Sequence, residues 1–113
     1  GAQAKGASSG AAANDAKVPG TEYNATGSIP CTMSANAPQG SCPFGVVRQG
    51  NGTGIVDITR PDGVTLSIFF EQGRAVKAQG SNGAFSSRKQ GDDSIVTIGA
   101  ETYTIPEAVI FGG

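Results

Sequence analysis

A hairpin pattern in the middle of the chain limits the fold more strongly than any other feature. Residues 61–63 read Pro-Asp-Gly, in which proline presets the first corner of a turn and glycine accepts the left-handed position that follows. A three-residue loop there predicts the cross-strand pairs Arg60 with Val64, Ile58 with Leu66, Val56 with Ile68 and Gly54 with Phe70. Because side chains alternate across a strand, one face of this hairpin is apolar, which is typical of a half-buried antiparallel sheet.

The next turn sets the face of the following strand. A three-residue loop at residues 71–73 places Val76 and Ala78 on the apolar face, whereas a two-residue loop would place Ala75 and Lys77 there. The larger apolar surface of the first pair favours the three-residue loop.

Two dipeptides, Asn-Gly upstream and Gly-Ala downstream, are typical of two-residue hairpin turns. They predict the pairs Val47 with Val56 and Val96 with Tyr103. Between these hairpins, residues 84–90 form a polar strand, and Arg88 and Lys89 suit a position at the edge of a sheet.

Six or seven short antiparallel strands in succession predict an all-β domain, either a meander that forms a small barrel or a two-sheet sandwich. Near the C-terminus, Pro106 followed by Glu107 predicts one helical turn. Residues 105–110 are similar to the Ile-Pro-x-x-x-Val turn before the last strand of SH3 domains, so an SH3-like barrel is one form of this fold. The chain has no Trp and lacks the aromatic residues of an SH3 peptide groove, so proline-peptide binding is not expected.

Cys31 and Cys42 are the only cysteines, and their spacing favours one disulfide. The segment between them has no strand or helix periodicity, so a cross-link is expected to add roughly 3 kcal/mol of stability. Free thiols or a redox pair are the alternative, but the spacing is not Cys-x-x-Cys and no basic residue adjoins either cysteine. A disulfide implies an oxidising compartment such as the bacterial periplasm, the cell surface or the medium.

Composition divides the chain into a tail and one domain. Thirteen of residues 1–20 are Ala, Gly or Ser, so this segment is predicted to be a flexible tether. Residues 21–113 form a single domain with six Lys or Arg and eight Asp or Glu, a net charge of -2. This charge argues against nucleic-acid binding, and no apolar run is long enough for a transmembrane helix. The chain starts at glycine without a signal peptide, so we expect the mature part of an exported protein, either soluble or lipid-anchored upstream.

The residues available for chemistry argue against catalysis and metal binding. The chain contains no histidine, the commonest general acid–base and a frequent zinc ligand. Asp92 and Asp93 are interpreted as turn residues, because a calcium site needs about six to eight oxygen ligands. The glycine-rich run at residues 50–54 is interpreted as a hairpin connection rather than a phosphate loop, since no lysine or helix follows it. We expect no metal, no cofactor and no enzymatic activity.

A candidate binding patch lies on the second face of the predicted sheet. It consists of Phe44, Val46, Arg48, Ile55, Asp57 and Phe69, with Ile55 and Phe69 as cross-strand neighbours. Arg48 and Asp57 lie diagonal to each other there, either as a surface ion pair or as a pair that orients a ligand. In an open sheet this patch is exposed and binds a partner; in a barrel the first strand or the Cys31–Cys42 loop covers it. Burial is the commoner outcome for such a cluster, so the covered arrangement is favoured.

Several short segments after residue 22 form a recognisable pattern. They are Tyr-Asn-Ala-Thr-Gly at 23–27, the two cysteines, Phe-Gly-Val-Val-Arg at 44–48, Thr-Arg-Pro-Asp-Gly at 59–63, Ser-Ile-Phe-Phe-Glu at 67–71 and Ile-Pro-Glu-Ala-Val-Ile-Phe-Gly-Gly at 105–113. In this pattern the chain, apart from its tail, resembles a group of uncharacterised exported proteins of proteobacteria. The resemblance implies export and brings no activity with it.

These features favour an exported, non-enzymatic binding or envelope-associated protein whose partner is an unidentified protein or envelope component. A small periplasmic inhibitor of a hydrolase, similar to lysozyme-inhibitor barrels, is the alternative. In that case residues 60–63 or 79–83 would enter the active site of the hydrolase. An enzyme is the least favoured function.

Overall fold

A computed structural model of the chain describes residues 16–112. Within them the elements are, in chain order, β1 (Ala25–Thr32), β2 (Gly40–Gly50), β3 (Thr53–Thr59), β4 (Thr65–Glu71), β5 (Arg74–Gln79), β6 (Phe85–Gln90), β7 (Asp93–Ile98), β8 (Glu101–Pro106) and α1 (Glu107–Phe111). The all-β fold class is confirmed. The structure has eight strands in these residues, whereas six or seven were expected. The additional strand is β1, in which Gly27, Ser28 and Pro30 obscure the alternation of apolar and polar residues.

The eight strands form one antiparallel sheet that curls into a nearly closed barrel. Their order across the sheet is β5-β4-β3-β2-β1-β8-β7-β6, so β8 returns to pair with β1. Although β5 and β6 follow each other in the chain, they are the two free ends of the sheet. The hydroxyl of Ser87 donates a hydrogen bond to the carbonyl oxygen of Ala75 across this gap (2.9 Å). We call the gap between β5 and β6 the seam.

The interior of the barrel is filled by the inward side chains of alternating positions. The predicted pairs of the central hairpin, Val56 with Ile68 and Ile58 with Leu66, are confirmed, and all four side chains are completely buried. β4 also contributes Phe70, and the other strands contribute Ile29, Cys31, Cys42, Val46, Ala75, Val96, Ile98, Tyr103 and Ile105. An eight-stranded barrel has an interior of about the size that such side chains fill.

The register of β2 against β3 differs from the prediction by one residue. The Asn-Gly turn forms as expected, but Gln49 is an extra residue at which the pairing shifts. Val56 therefore faces Val46, and the prediction that it faces Val47 is wrong. Because a shift of one residue moves each side chain to the opposite face, Phe44 and Val46 lie on the inner side of the sheet.

The turn between β4 and β5 also differs from the prediction. Gln72 and Gly73 form a two-residue turn, both with left-handed φ angles (51° and 81°), so the predicted three-residue loop is wrong. Ala75 is consequently buried, and Val76 is 43% exposed. Val76 is the extra residue of a second bulge, beyond which Ala78 packs against the core as predicted.

The last hairpin and the sheet edge follow the prediction. Val96 pairs with Tyr103 across the Gly-Ala turn. β6 ends the sheet, and apart from Phe85 its residues are exposed, so the prediction of an edge strand is confirmed.

The disulfide between Cys31 and Cys42 is present as predicted. Both cysteines lie in strands, β1 and β2, rather than in an irregular loop, and both are buried. Residues 33–39 form the connection between these strands. The cross-link therefore ties the first two strands together from inside the core.

α1 covers one end of the barrel, which we call the helix end. Val109 and Ile110 are buried, and the ring of Phe111 lies over the turns at Gly52 and Gly73. A Cβ atom at either glycine would come within 2.6 Å and 2.9 Å of this ring, respectively, so the helix packs there only because both residues are glycine. The predicted helical turn is confirmed. It follows β8, the last strand of the described residues, whereas the SH3 turn that it resembles in sequence precedes a strand.

The predicted tether lies mostly outside the described residues. Its final part is a turn in which the Val18 N–H donates to the carbonyl oxygen of Tyr23 (2.7 Å) and the Thr21 N–H donates to that of Val18 (3.0 Å). Among residues 16–112, no helix has the length and hydropathy needed to span a membrane.

Candidate binding site at the barrel mouth

The end of the barrel opposite α1 contains a cavity of about 380 Å³, which we call the mouth. Its lining consists of Arg60, Val64, residues 80–83 and residues 98–101. These come from the connections between β3 and β4, between β5 and β6, and between β7 and β8. The two segments that the sequence suggested as active-site plugs, residues 60–63 and 79–83, thus lie at the same end of the molecule.

Local backbone chemistry shapes the two loops of the mouth. The Arg60 N–H donates to the Val64 carbonyl oxygen (2.8 Å) as predicted, and the Val64 N–H donates to Asp62 Oδ1 (3.1 Å). In the other loop, Gly83 lies so close to Gly99 that a Cβ atom would be 2.3 Å from the Gly99 nitrogen. Gly83 therefore holds its loop against the β7–β8 turn, and a larger residue would push the two apart.

A network of charged and polar side chains forms one wall of the mouth. Arg60 Nη1 lies 3.1 Å from Glu101 Oε2, and the same guanidinium binds Asp62. The hydroxyl of Tyr103, which is buried in the core, donates to Glu101 Oε1 (2.6 Å). Because residues two apart on a strand share a face, Tyr103 and Glu101 connect the core of the barrel to its rim. The network thereby holds Arg60 in one orientation.

The titratable groups of this network favour the protonation states that they have at neutral pH. Burial and the hydrogen bond to Glu101 raise the pKa of Tyr103, so its hydroxyl stays protonated. The hydrogen bond from Arg60 lowers the pKa of Asp62, and the same bond raises the pKa of Arg60. A general acid or base works best with a pKa near the operating pH, and these shifts move all three groups away from it.

Tyr103→Phe is expected to change how stability depends on pH above about pH 10. Because the pKa of Tyr103 is raised in the folded state, its contribution is complete below the unfolded-state pKa near 10. Above that pH only the unfolded chain ionises, so the free energy of unfolding should fall by up to about 1.4 kcal/mol per pH unit. Urea denaturation between pH 9 and pH 11 should show this slope in the wild type and a clearly smaller slope in Tyr103→Phe.

Tyr23→Phe is the matched control for this measurement. The hydrogen bond from Tyr23 to Asp57 raises the pKa of Tyr23 as well, but this tyrosine is only half-buried. Its replacement should remove a smaller part of the alkaline slope. Equal slopes in the wild type and in Tyr103→Phe would contradict the shielding of Tyr103 in the core.

The six residues of the predicted binding patch are divided between two faces of the sheet. The inner face of β2 carries Phe44, Val46 and Arg48, and the outer face of β3 and β4 carries Ile55, Asp57 and Phe69. The predicted pairing of Ile55 with Phe69 is confirmed. The prediction that all six share one face is wrong, because the bulge at Gln49 shifts the register of β2 by one residue.

Arg48 and Asp57 consequently bind different partners. The Arg48 Nε donates to the carbonyl oxygen of Val109 in α1 (3.0 Å). Asp57 accepts hydrogen bonds from the hydroxyls of Tyr23 (2.8 Å) and Ser67 (2.6 Å) on the outside of the sheet. Both side chains thus fasten neighbouring segments to the barrel: Arg48 holds α1, and Asp57 holds the segment that precedes β1.

The sequence analysis did not identify Glu101 or Tyr103 as residues of a site. Glu101 binds Arg60, which lies 41 positions earlier in the sequence, so no local pattern indicates this contact. The sequence shows only that Glu101 and Tyr103 are two positions apart and can share a face of a strand. In the part of the chain that the structure describes, no group of three or more His, Cys, Asp or Glu side chains is arranged to hold a metal ion.

Comparison of the chain with protein-family models, with curated proteins and with solved structures gives no match in any of the three. The resemblance to exported proteobacterial proteins therefore stays a prediction.

Proposed function

We propose that this chain is an exported, non-enzymatic binding domain that receives part of a protein or envelope partner in its mouth. The observation that carries this proposal is the ion-paired wall of the mouth, which is anchored in the core through Tyr103 and borders a cavity of about 380 Å³. The mouths of β-barrels are frequent binding sites, because a rigid sheet holds their loops in place. The opposite end, beside α1, has a cavity of about 370 Å³, but the side chains that line it are exposed or half-buried and are not tied to the core in this way.

The chemistry of the mouth supports binding rather than catalysis. Glu101 accepts from both Arg60 and Tyr103, and Arg60 is shared between Glu101 and Asp62. Side chains engaged in this way present a fixed pattern of charge to a partner. The hydroxyl of Ser81, which also lines the cavity, donates to the same Glu101 carboxylate (3.5 Å).

The disulfide supports the proposal of export. Disulfides persist in oxidising compartments and are rare in the cytosol, where thiols are kept reduced. The Cys31–Cys42 bond is built into the core, so the fold includes a bond that an exported protein would retain.

Adding bulk and charge at the rim tests the mouth as a binding site. Val64 and Asn82 are exposed and line the cavity, so Val64→Arg combined with Asn82→Arg should weaken partner binding by about tenfold or more. The matched control is Thr26→Arg with Ser28→Arg, which adds the same charge at exposed positions of β1. The three proteins are immobilised, exposed to an envelope extract of the producing organism, and compared by mass spectrometry and then by calorimetry with the purified partner. A partner that binds the rim variant and the wild type equally would contradict the proposal.

The shared location of the two loops favours a second function, inhibition of a hydrolase. Residues 60–63 and 79–83 border the same opening, so both can enter an active-site cleft together. A molar excess of the protein should then slow lysozyme-catalysed lysis of a cell-wall suspension, and the rim variant should not. An unchanged lysis rate with the wild type would remove lysozyme as the target.

A further inference from the structure

The seam leaves two strand edges without a backbone partner. Among the described residues no backbone hydrogen bond joins β5 to β6, and the Ser87–Ala75 hydrogen bond is their direct link. Edge N–H and C=O groups that have no backbone partner are able to hydrogen-bond an extended segment of another chain.

The charge of the seam strands differs from that of the rest of the domain. Four of the six Lys and Arg of residues 21–113 lie on β5 and β6: Arg74, Lys77, Arg88 and Lys89. Neither strand contains Asp or Glu, although the domain as a whole carries a net charge of -2. The seam is therefore a basic strip on an acidic domain.

A small cavity of about 190 Å³ lies within the seam. Arg74, Arg88 and Lys89 line it, and Ser94 from β7 lies within its lining. Ser94 is 2% exposed, and within residues 16–112 its hydroxyl has no hydrogen-bond partner. A buried hydroxyl without a partner is costly, so this one is placed to donate to a group that enters from outside.

The cations of the seam are only weakly engaged by the protein itself. Lys89 Nζ lies 3.9 Å from Glu107, and Arg88 donates to the side-chain oxygen of Gln90 (2.8 Å). Arg74 has no carboxylate at ion-pair distance in the described part of the chain. Lys77 lies over the ring of Phe69, 4.8 Å from its centre. These charges remain available to a ligand of opposite sign.

We infer that the seam binds an acidic segment of a partner protein in extended conformation, which lies along the outer side of β5 and β6 and places one carboxylate in the cavity above Ser94. This site lies apart from the mouth, so its test does not depend on the proposed function.

Charge also favours a partner protein over two other occupants. A second copy of this chain would oppose Arg88 and Lys89 with the same cations, and the tail of residues 1–20 carries Lys5 and Lys17 against one acid, Asp15.

A series of capped peptides tests the inference on the wild-type protein. The probe alternates valine and glutamate over eight residues, and the comparison peptides replace glutamate by glutamine or by lysine. In two-dimensional NMR titrations the glutamate peptide should shift the amide signals of β5, β6 and Ser94 in a saturable way. The glutamine peptide should bind about tenfold more weakly, the lysine peptide should not bind, and added salt should weaken the glutamate complex.

Two variants locate the site. Arg74→Glu with Arg88→Glu should weaken binding of the glutamate peptide by about tenfold or more. Lys5→Glu with Lys17→Glu makes the same change of net charge outside the sequence of β5 and β6 and should have little effect. Ser94→Ala should weaken binding by about fivefold to tenfold without loss of the folded spectrum, because it removes only the hydroxyl.

Several results would overturn the inference. They are equal binding of the glutamate and glutamine peptides, shifts at the mouth instead of the seam, and equal losses in the two double variants. Self-association of Arg74→Glu with Arg88→Glu, without any change in peptide affinity, would show that these cations only protect the edge strands from each other.

Discussion

Phe70→Ala is expected to lower the free energy of unfolding by about 3–5 kcal/mol, the usual cost of removing a large aromatic side chain from a core. Phe70 is 2% exposed and pairs with Gly54 of the neighbouring strand β3. Alanine would leave a cavity inside the barrel. The surrounding strands cannot fill this cavity without losing their register. Urea denaturation followed by circular dichroism measures the change.

Phe69→Ala is the matched control, because it makes the same substitution at the neighbouring position of the same strand. Phe69 faces outward and is only partly buried beneath Lys77, so its loss should cost about 1 kcal/mol or less. A larger effect from Phe69 than from Phe70 would mean that β4 presents its other face to the core.

Cys31→Ala with Cys42→Ala is expected to cost about 3 kcal/mol, since the bond closes a short loop in the unfolded chain and both sulfurs are buried. For a domain whose net stability is on the order of 5–15 kcal/mol, this is a large part of the total. Guanidinium denaturation of the double variant and of the wild type gives the difference.

Reductant provides the control for the cysteine variant. It should destabilise the wild type by a similar amount and leave the double variant unchanged. Intact-mass measurement should show a gain of about 2 Da on reduction of the wild type, one hydrogen per sulfur. An unchanged mass would show that the thiols are free, and it would remove the support that the disulfide lends to export.

The parts of the fold that could be predicted are those that local chemistry decides. The Pro-Asp-Gly turn and the alternation on both sides of it predict β3 and β4 with the correct pairs, as in Ile58 with Leu66. The Gly-Ala turn does the same for Val96 and Tyr103. In both hairpins the turn and the apolar face agree, so only one register satisfies them.

The errors in register come from the two bulges. Gln49 and Val76 are extra residues in their strands, and nothing in their chemistry distinguishes them from ordinary strand residues. At the second turn the apolar count favoured Val76 over Ala75, whereas the left-handed conformations of Gln72 and Gly73 determine the outcome. Turn geometry overrides side-chain hydrophobicity there.

The candidate sites were less accessible to sequence reasoning than the fold. The mouth depends on the contact of Arg60 with Glu101, and the seam depends on β5 and β6 lying at the two ends of one sheet. Both follow from the closure of the barrel by β8 on β1, a pairing between distant segments with no local signal. Only the basic residues of β6 were visible beforehand, as a feature of an edge strand.

Hydrogen exchange of the backbone amides, followed by NMR, tests most directly whether the ring of backbone hydrogen bonds is complete except at the seam. The amides of β3, β4, β1 and β8 should exchange slowest, and those of β5 and β6 that point into the seam should exchange orders of magnitude faster. Equal protection of all amides in β5 and β6, at the level of β3, would mean that backbone bonds close the barrel and that no free edge exists.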